Sequence, residues 1–164
     1  MRQSTRVQKE FVFELAAPPE QVFPLLCPVR ESDWLDGWEA DMVYSASGVA
    51  EDHAVFTTDF PDRGRGTWVV SHYDPQRFEI GFTIFYADAC AERLDVSLTP
   101  SGPASTRTRW MRTYTALSEA GRRYLERNTG EALDARMAGM RGALQKYCET
   151  GGATRGAGRL LGLS

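Results

Sequence analysis

From Arg6 to Leu15 the chain alternates, with Phe11, Phe13 and Leu15 on one side and Glu10, Val12 and Glu14 on the other. That is the period of a strand with one buried face. Ala17-Pro18-Pro19 stops the strand. Pro19 suits the first turn of a helix, while Pro24 and Pro28 limit how far helix can run, so two short helices are predicted near 19–26 and 29–34. After the Asp36-Gly37 turn signal, strand-like runs recur at 39–46, 53–60, 66–73, 77–86, 91–99 and 105–117. Ser47-Gly48, Pro61-Asp62-Arg63-Gly64, Asp74-Pro75 and Pro100-Ser101-Gly102-Pro103 separate them, and strands so closely spaced pair as an antiparallel meander.

At Ser118, a helix N-cap residue type, the period changes and one long helix is predicted to about Cys148, ended by Gly151-Gly152. Leu125, Thr129, Leu133, Met137, Met140, Leu144 and Tyr147 fall within an arc of roughly 120°, the face of a helix laid on a core. Gly130, Gly139 and Gly142 each cost about 1 kcal/mol inside a helix and mark points of local weakness, bending or close approach. The expectation is one domain over 1–149 and a glycine-rich tail over 150–164. The tail reads as mobile chain, or as a short docking motif built on Leu160-Leu161-Leu163.

Composition narrows the function classes. The chain has 164 residues, 42% of them hydrophobic, which suffices for a single core. With 19 basic and 22 acidic side chains the net charge is −3. Counterion release therefore has little to act on, and nucleic acid is not expected as a partner. Cys27, Cys90 and Cys148 form no CxxC or Cys/His set, which argues against a disulfide framework or a structural zinc. Charges at Arg2, Arg6, Lys9 and Glu10 break any secretory apolar core, no apolar window is long enough to span a bilayer, and a cytoplasmic protein without membrane insertion is expected. The two histidines, His53 and His72, belong to no HExxH, and GxSxG, GxGxxG and P-loop patterns are missing. No cofactor, metal or catalytic set is expected on this basis.

The order of strand, two short helices, six-stranded antiparallel run and long helix resembles the α+β helix-grip fold of the START and Bet v 1-like superfamily, which includes polyketide cyclase/dehydrase-type proteins. The resemblance spans about Thr5 to Cys148. Cys27-Pro28-Val29-Arg30-Glu31-Ser32-Asp33-Trp34 with Gly37-Trp38, Val55-Phe56-Thr57-Thr58-Asp59-Phe60, Thr67-Trp68-Val69-Val70 and Tyr114-Thr115-Ala116-Leu117-Ser118 are similar to a bacterial branch of it. The resemblance implies a curved seven-stranded sheet around the long helix. It also implies a cavity that in many members holds a lipid, sterol, hormone or polyketide-like molecule. It carries over no catalytic residue.

Strand parity then nominates the inward side chains. These are Met42 and Tyr44; Phe56, Thr58 and Phe60; Trp68, Val70 and His72; Phe82 and Ile84; Leu94, Val96 and Leu98; and Trp110, Arg112 and Tyr114. The aromatic groups either fill the core or wall a pocket. Arg112 shares a face with Trp110 and Tyr114, and Arg136 sits within the apolar arc of the helix, so both need partners. Arg112 is expected to pair with Asp59 or Asp95 and Arg136 to snorkel past the helix, unless both grip a ligand carboxylate or phenolate. His72 reads as structural or as an acid–base group, and His53 as exposed. Trp34 and Trp38 flank a turn where the fold has a cavity mouth, as plugs or as a gate. The candidate ligand-binding set is therefore Trp34, Trp38, Tyr44, Phe56, Thr58, Trp68, Val70, His72, Phe82, Val96, Trp110, Arg112, Tyr114, Arg136 and Met140.

Three functions compete. The first is binding of a small hydrophobic or amphipathic molecule without turnover. The second is a cyclase, aromatase or dehydrase using His72, Arg112, Tyr114 and Asp59. The third is a protein-interaction module like the Hsp90-activator relatives of the fold. Arg63, Arg65, Arg107 and Arg109 offer that third function little, since they read as solvated faces.

Overall fold

A computed structural model describes residues 5–151. Strand β1 (Arg6–Leu15) leads into α1 (Pro19–Val22), a 3-10 turn over Phe23–Leu26 and α2 (Pro28–Glu31). Proline at the first positions of each piece presets the helical φ and removes a donor that would have no partner there. Six strands follow: β2 (Asp41–Tyr44), β3 (Val55–Phe60), β4 (Gly64–Asp74), β5 (Glu79–Tyr86), β6 (Cys90–Gly102) and β7 (Ser105–Ala116). They form one seven-stranded sheet in the order β1-β7-β6-β5-β4-β3-β2, antiparallel throughout. This is the helix-grip arrangement expected from the sequence, although β2 is half as long as its apolar run suggested.

Register aligns the inner face in rows. Tyr114, Glu92, Ile84, Trp68, Phe56 and Met42 stand opposite one another in succession across β7 to β2. Arg112, Leu94, Phe82 and Val70 form the next row. Two register shifts change that parity, one between Met42 and Tyr44 and one between Val70 and His72. An extra residue in one strand turns every later side chain to the other face. Tyr44 is consequently 61% exposed, and His72 points outward to Glu79, 3.2 Å away. Both were expected inward, and the same cause corrects both. Tyr73 takes the inner place, its ring stacked on Phe23 at 5.7 Å.

The single long helix is also corrected, because the chain breaks at Thr129-Gly130 into α3 (Glu119–Asn128) and α4 (Glu131–Thr150). Ser118 caps α3 as expected, its hydroxyl accepting from the Gly121 amide at 3.1 Å. At the break, Thr129 turns its hydroxyl back onto the Leu125 carbonyl at 2.6 Å, and Arg136 bonds the Asn128 carbonyl at 2.9 Å. These bonds occupy carbonyls left over where a helix ends. Leu133, Met137, Met140 and Leu144 of α4 are buried against the sheet. Thr150 is still helical, and Gly151, at φ 60°, closes α4. Residues 152–164, with the Leu160-Leu161-Leu163 cluster, lie outside the described residues. No helix among the described residues is long and apolar enough to cross a membrane.

Candidate functional site

Between the inner face of the sheet and α4 lies a cavity of about 280 Å³. Trp38, Phe60 and Trp68 form its aromatic wall, and Trp68 is held from behind by rings of both inner rows. Phe56 stacks on Trp68 at 5.2 Å, and Phe82 meets Trp68 edge-on at 5.7 Å. Trp38, from the loop after α2, closes on Trp68 at 5.6 Å with an interplanar angle of 83°. Each indole N–H in this wall is fixed by the protein. Trp68 donates to Thr58 at 2.9 Å and Trp38 to the Pro28 carbonyl at 2.8 Å. With those donors engaged, the rings present only apolar faces. Leu133, Met137 and Met140 of α4 complete the apolar lining.

Three arginines from three elements reach this cavity: Arg63 from the β3–β4 turn, Arg112 from β7 and Arg136 from α4. Arg63 was expected to be solvated. It instead lays its guanidinium over the Phe60 ring, 4.0 Å from the centroid, and only 18% of its side chain remains exposed. Asp36 lies at the same lining. Arg112 is paired with Glu92, itself fully buried, and Glu92 accepts in addition from the Tyr86 hydroxyl at 3.2 Å. Asp59 and Asp95, the partners anticipated for Arg112, occupy odd positions on the outer face. There they pair with Arg65 and Arg93.

Charge in this enclosed region is set by burial and by that ion pair. Burial pulls the Arg112 pKa down, but Glu92, Tyr114 and Tyr86 more than offset it, so the guanidinium stays charged. Burial pushes the Tyr114 hydroxyl up to about 12 against the opposing pull of Arg112. Glu31 in α2 has a carboxyl that burial pushes up to about 8, with Arg112 acting the other way. Among the described residues no three His, Cys, Asp or Glu side chains come together as a metal-ligand set.

Of the candidate set, Trp38, Trp68, Arg112, Arg136 and Met140 line the cavity. Trp34, Phe56, Thr58, Val70, Phe82, Val96, Trp110 and Tyr114 are buried in the core around it. Trp34 is held in the core by its indole, which donates to the Leu25 carbonyl at 2.8 Å. Tyr44 and His72 are on the outside because of the two register shifts, and His53 is exposed as expected. Arg63, Glu92 and Glu31 were not nominated. Glu92 had a readable signal, because it shares parity with Leu94, Val96 and Leu98. Glu31 sits in a single helical turn and Arg63 in a loop, where no periodicity tells inside from outside.

No family model matches the chain, and no curated protein does. Solved structures do. A norcoclaurine synthase point mutant from Thalictrum flavum, in complex with a transition-state analogue, superposes with TM-score 0.68 at 11% identity, over 92% of this chain and 98% of that one. The structure of Ara h 8.0201 gives 0.65 at 12% identity over 89% and 99%. The Zhui aromatase/cyclase from Streptomyces sp. R1128 gives 0.64 at 13% over 87% and 96%. At such identities the likeness shows the Bet v 1-like helix-grip fold, and function has to be argued from the cavity.

Proposed function

We propose that this protein binds a small amphipathic molecule, with a ring system or short apolar chain against Trp38, Trp68 and Met140 and an acidic or phenolic group toward the arginines. The observation that carries this reading is the convergence of Arg63, Arg112 and Arg136 on one aromatic-walled cavity. Apolar walls with a few fixed polar groups are the usual make-up of a ligand site. A planar guanidinium matches the two oxygens of a carboxylate. Glu92 pairs with Arg112 and Asp62 with Arg63 at 3.4 Å, while Arg136 is bonded to a neutral carbonyl. A volume of about 280 Å³ lies at the lower end of small-molecule sites, roughly 300–1,000 Å³, and favours a compact ligand over a full lipid.

Tryptophan fluorescence and thermal shift against a panel of aryl carboxylates, phenols, fatty acids and their neutral amides or ethers test the reading. Acids bind and their neutral analogues bind more weakly. Arg63→Met and Arg136→Met each weaken the acids by about 10–100-fold, the worth of a charged hydrogen bond, while the neutral compounds change little. Equal affinity for acids and neutral analogues would refute the role given to the arginines.

Turnover is a second reading. It draws on the norcoclaurine synthase and aromatase/cyclase neighbours and on one observation, that Arg112, which lines the cavity, bonds the buried Tyr114 hydroxyl. His72 and Asp59 do not join them, so a reaction there would have to use other proton carriers. A product detected from any panel member on incubation with the protein would favour this reading.

A further inference from the structure

Gly139 is a glycine in the body of α4 (Glu131–Thr150), where alanine would make a more stable helix. Beyond its two chain neighbours and the helix backbone, a Cβ built on it meets nothing within 4 Å among the described residues. Neither a positive φ nor the close approach of another element therefore calls for glycine there. Its open side is the cavity, which Gly139 lines together with Arg136 and Met140 of the same helix. Asp36 and Gly37, from the loop after α2, belong to that lining too. Asp36, Gly37 and Gly139 are exposed, whereas Trp68, Met137 and Met140 are buried, so the cavity opens to solvent between α4 and this loop. Gly37, at φ 77°, is glycine for a backbone reason, and a Cβ there also meets nothing within 4 Å among the described residues. Two sides of the opening thus carry no side chain. Arg112 rises from β7 in the sheet and, at 13% side-chain exposure, lies deeper than that rim.

We propose that Gly139 is a specificity-determining residue of the ligand site, leaving the opening wide enough for an apolar substituent of the ligand to pass out between α4 and Gly37 while the acidic group stays inside with the arginines. The ligand class narrows accordingly to aryl acids whose ring carries an extended apolar group on the side away from the acid. This deepens the acidic-ligand reading and rests on it. A cavity of about 280 Å³ takes a ring and its acid, and anything longer needs an open edge rather than more enclosed volume. A side chain at position 139 would stand in that path, leucine more than alanine. Gly142, about one turn further along α4, is the internal comparison. It is exposed and equally clear of neighbours, but it lies on the groove that α4 forms with Phe11 and Phe13 of β1.

The test is calorimetric titration of 4-methoxybenzoate and 4-octyloxybenzoate into the full chain and into Gly139→Ala, Gly139→Leu and Gly142→Leu, with the thermal midpoint of each protein taken alongside. Wild type is expected to bind both acids, the octyloxy compound more tightly through its added apolar contact. Gly139→Leu is expected to weaken the octyloxy acid about tenfold or more and Gly139→Ala to weaken it less, with the methoxy acid held within about twofold in both. Gly142→Leu should change neither affinity. All three variants should melt at or above wild type, because helix propensity improves and nothing is displaced. Unchanged binding of the octyloxy acid by Gly139→Leu, equal weakening of both acids, or the same loss in Gly142→Leu would overturn the role of Gly139 while leaving the acidic-ligand reading standing. Binding of the methoxy acid alone by wild type would do the same. Binding of neither acid by wild type would instead overturn the acidic-ligand reading, and this inference with it.

Discussion

The Arg112–Glu92 pair has 13% and 0% side-chain exposure, so Glu92 cannot turn to water if Arg112 is lost, and Arg112 can do so only at the cavity. Removing one partner of a buried pair costs about 3–5 kcal/mol, while replacing both by apolar groups of similar volume is often neutral. Glu92→Gln is therefore expected to lose about that much in urea unfolding, and Glu92→Leu with Arg112→Met to recover most of it. If the double substitution proved as unstable as the single one, the cost would come from lost packing rather than from stranded charge. Gly121 is a steric case, because a Cβ there would come within 1.8 Å of the Ala89 carbonyl oxygen. That carbonyl is fixed by the Leu117 amide at 2.8 Å. Gly121→Ala should destabilise by about 1–3 kcal/mol or more through forced backbone displacement, and unchanged urea stability would show that the turn can yield.

Within single strands and helices, one inserted residue outweighs composition. The shift between Val70 and His72 sends His72 to solvent and brings Tyr73 in, without altering the hydrophobicity of the segment. His72→Ala should therefore leave ligand titrations unchanged and cost little stability. Tyr73→Ala, which removes the ring stacked on Phe23, should lower the thermal midpoint clearly more; equal effects would contradict a shifted register in β4. At the start of α3, Ser118→Ala removes the acceptor of the Gly121 amide and is expected to cost about 1 kcal/mol in urea unfolding. The break at Thr129-Gly130 matters beyond the helix itself, because it frees the Asn128 carbonyl that holds Arg136 at the cavity.

For the protein taken as one folding unit, Glu31 sets a pH dependence. Its folded pKa is raised, to about 8 from an ordinary value of 4.5, so between those values the folded state holds a proton that the unfolded chain has released. Stability then falls as pH rises across that window, by about 1.4 kcal/mol per unit from this group. The loss is complete above about 8. Glu31→Gln should flatten that part of the profile in parallel urea titrations from pH 5 to 9, and parallel wild-type and variant curves would place the Glu31 pKa near its ordinary value. The sheet, its strand order and the buried face of α4 were legible in the residues, because alternation with period two and the 3.6-residue arc are local consequences of backbone geometry. Phe56, Trp68 and Phe82 could be assigned inward on that basis alone. The choice of Glu92 over Asp59 and Asp95 as partner of Arg112, the inward turn of Arg63 and the enclosure of Glu31 depend on what neighbouring elements bring within a few ångströms. The outward turn of Tyr44 and His72 depends on bulges placed by cross-strand register. Contacts and registers of that kind join residues far apart in the chain, and no pattern within a single segment encodes them.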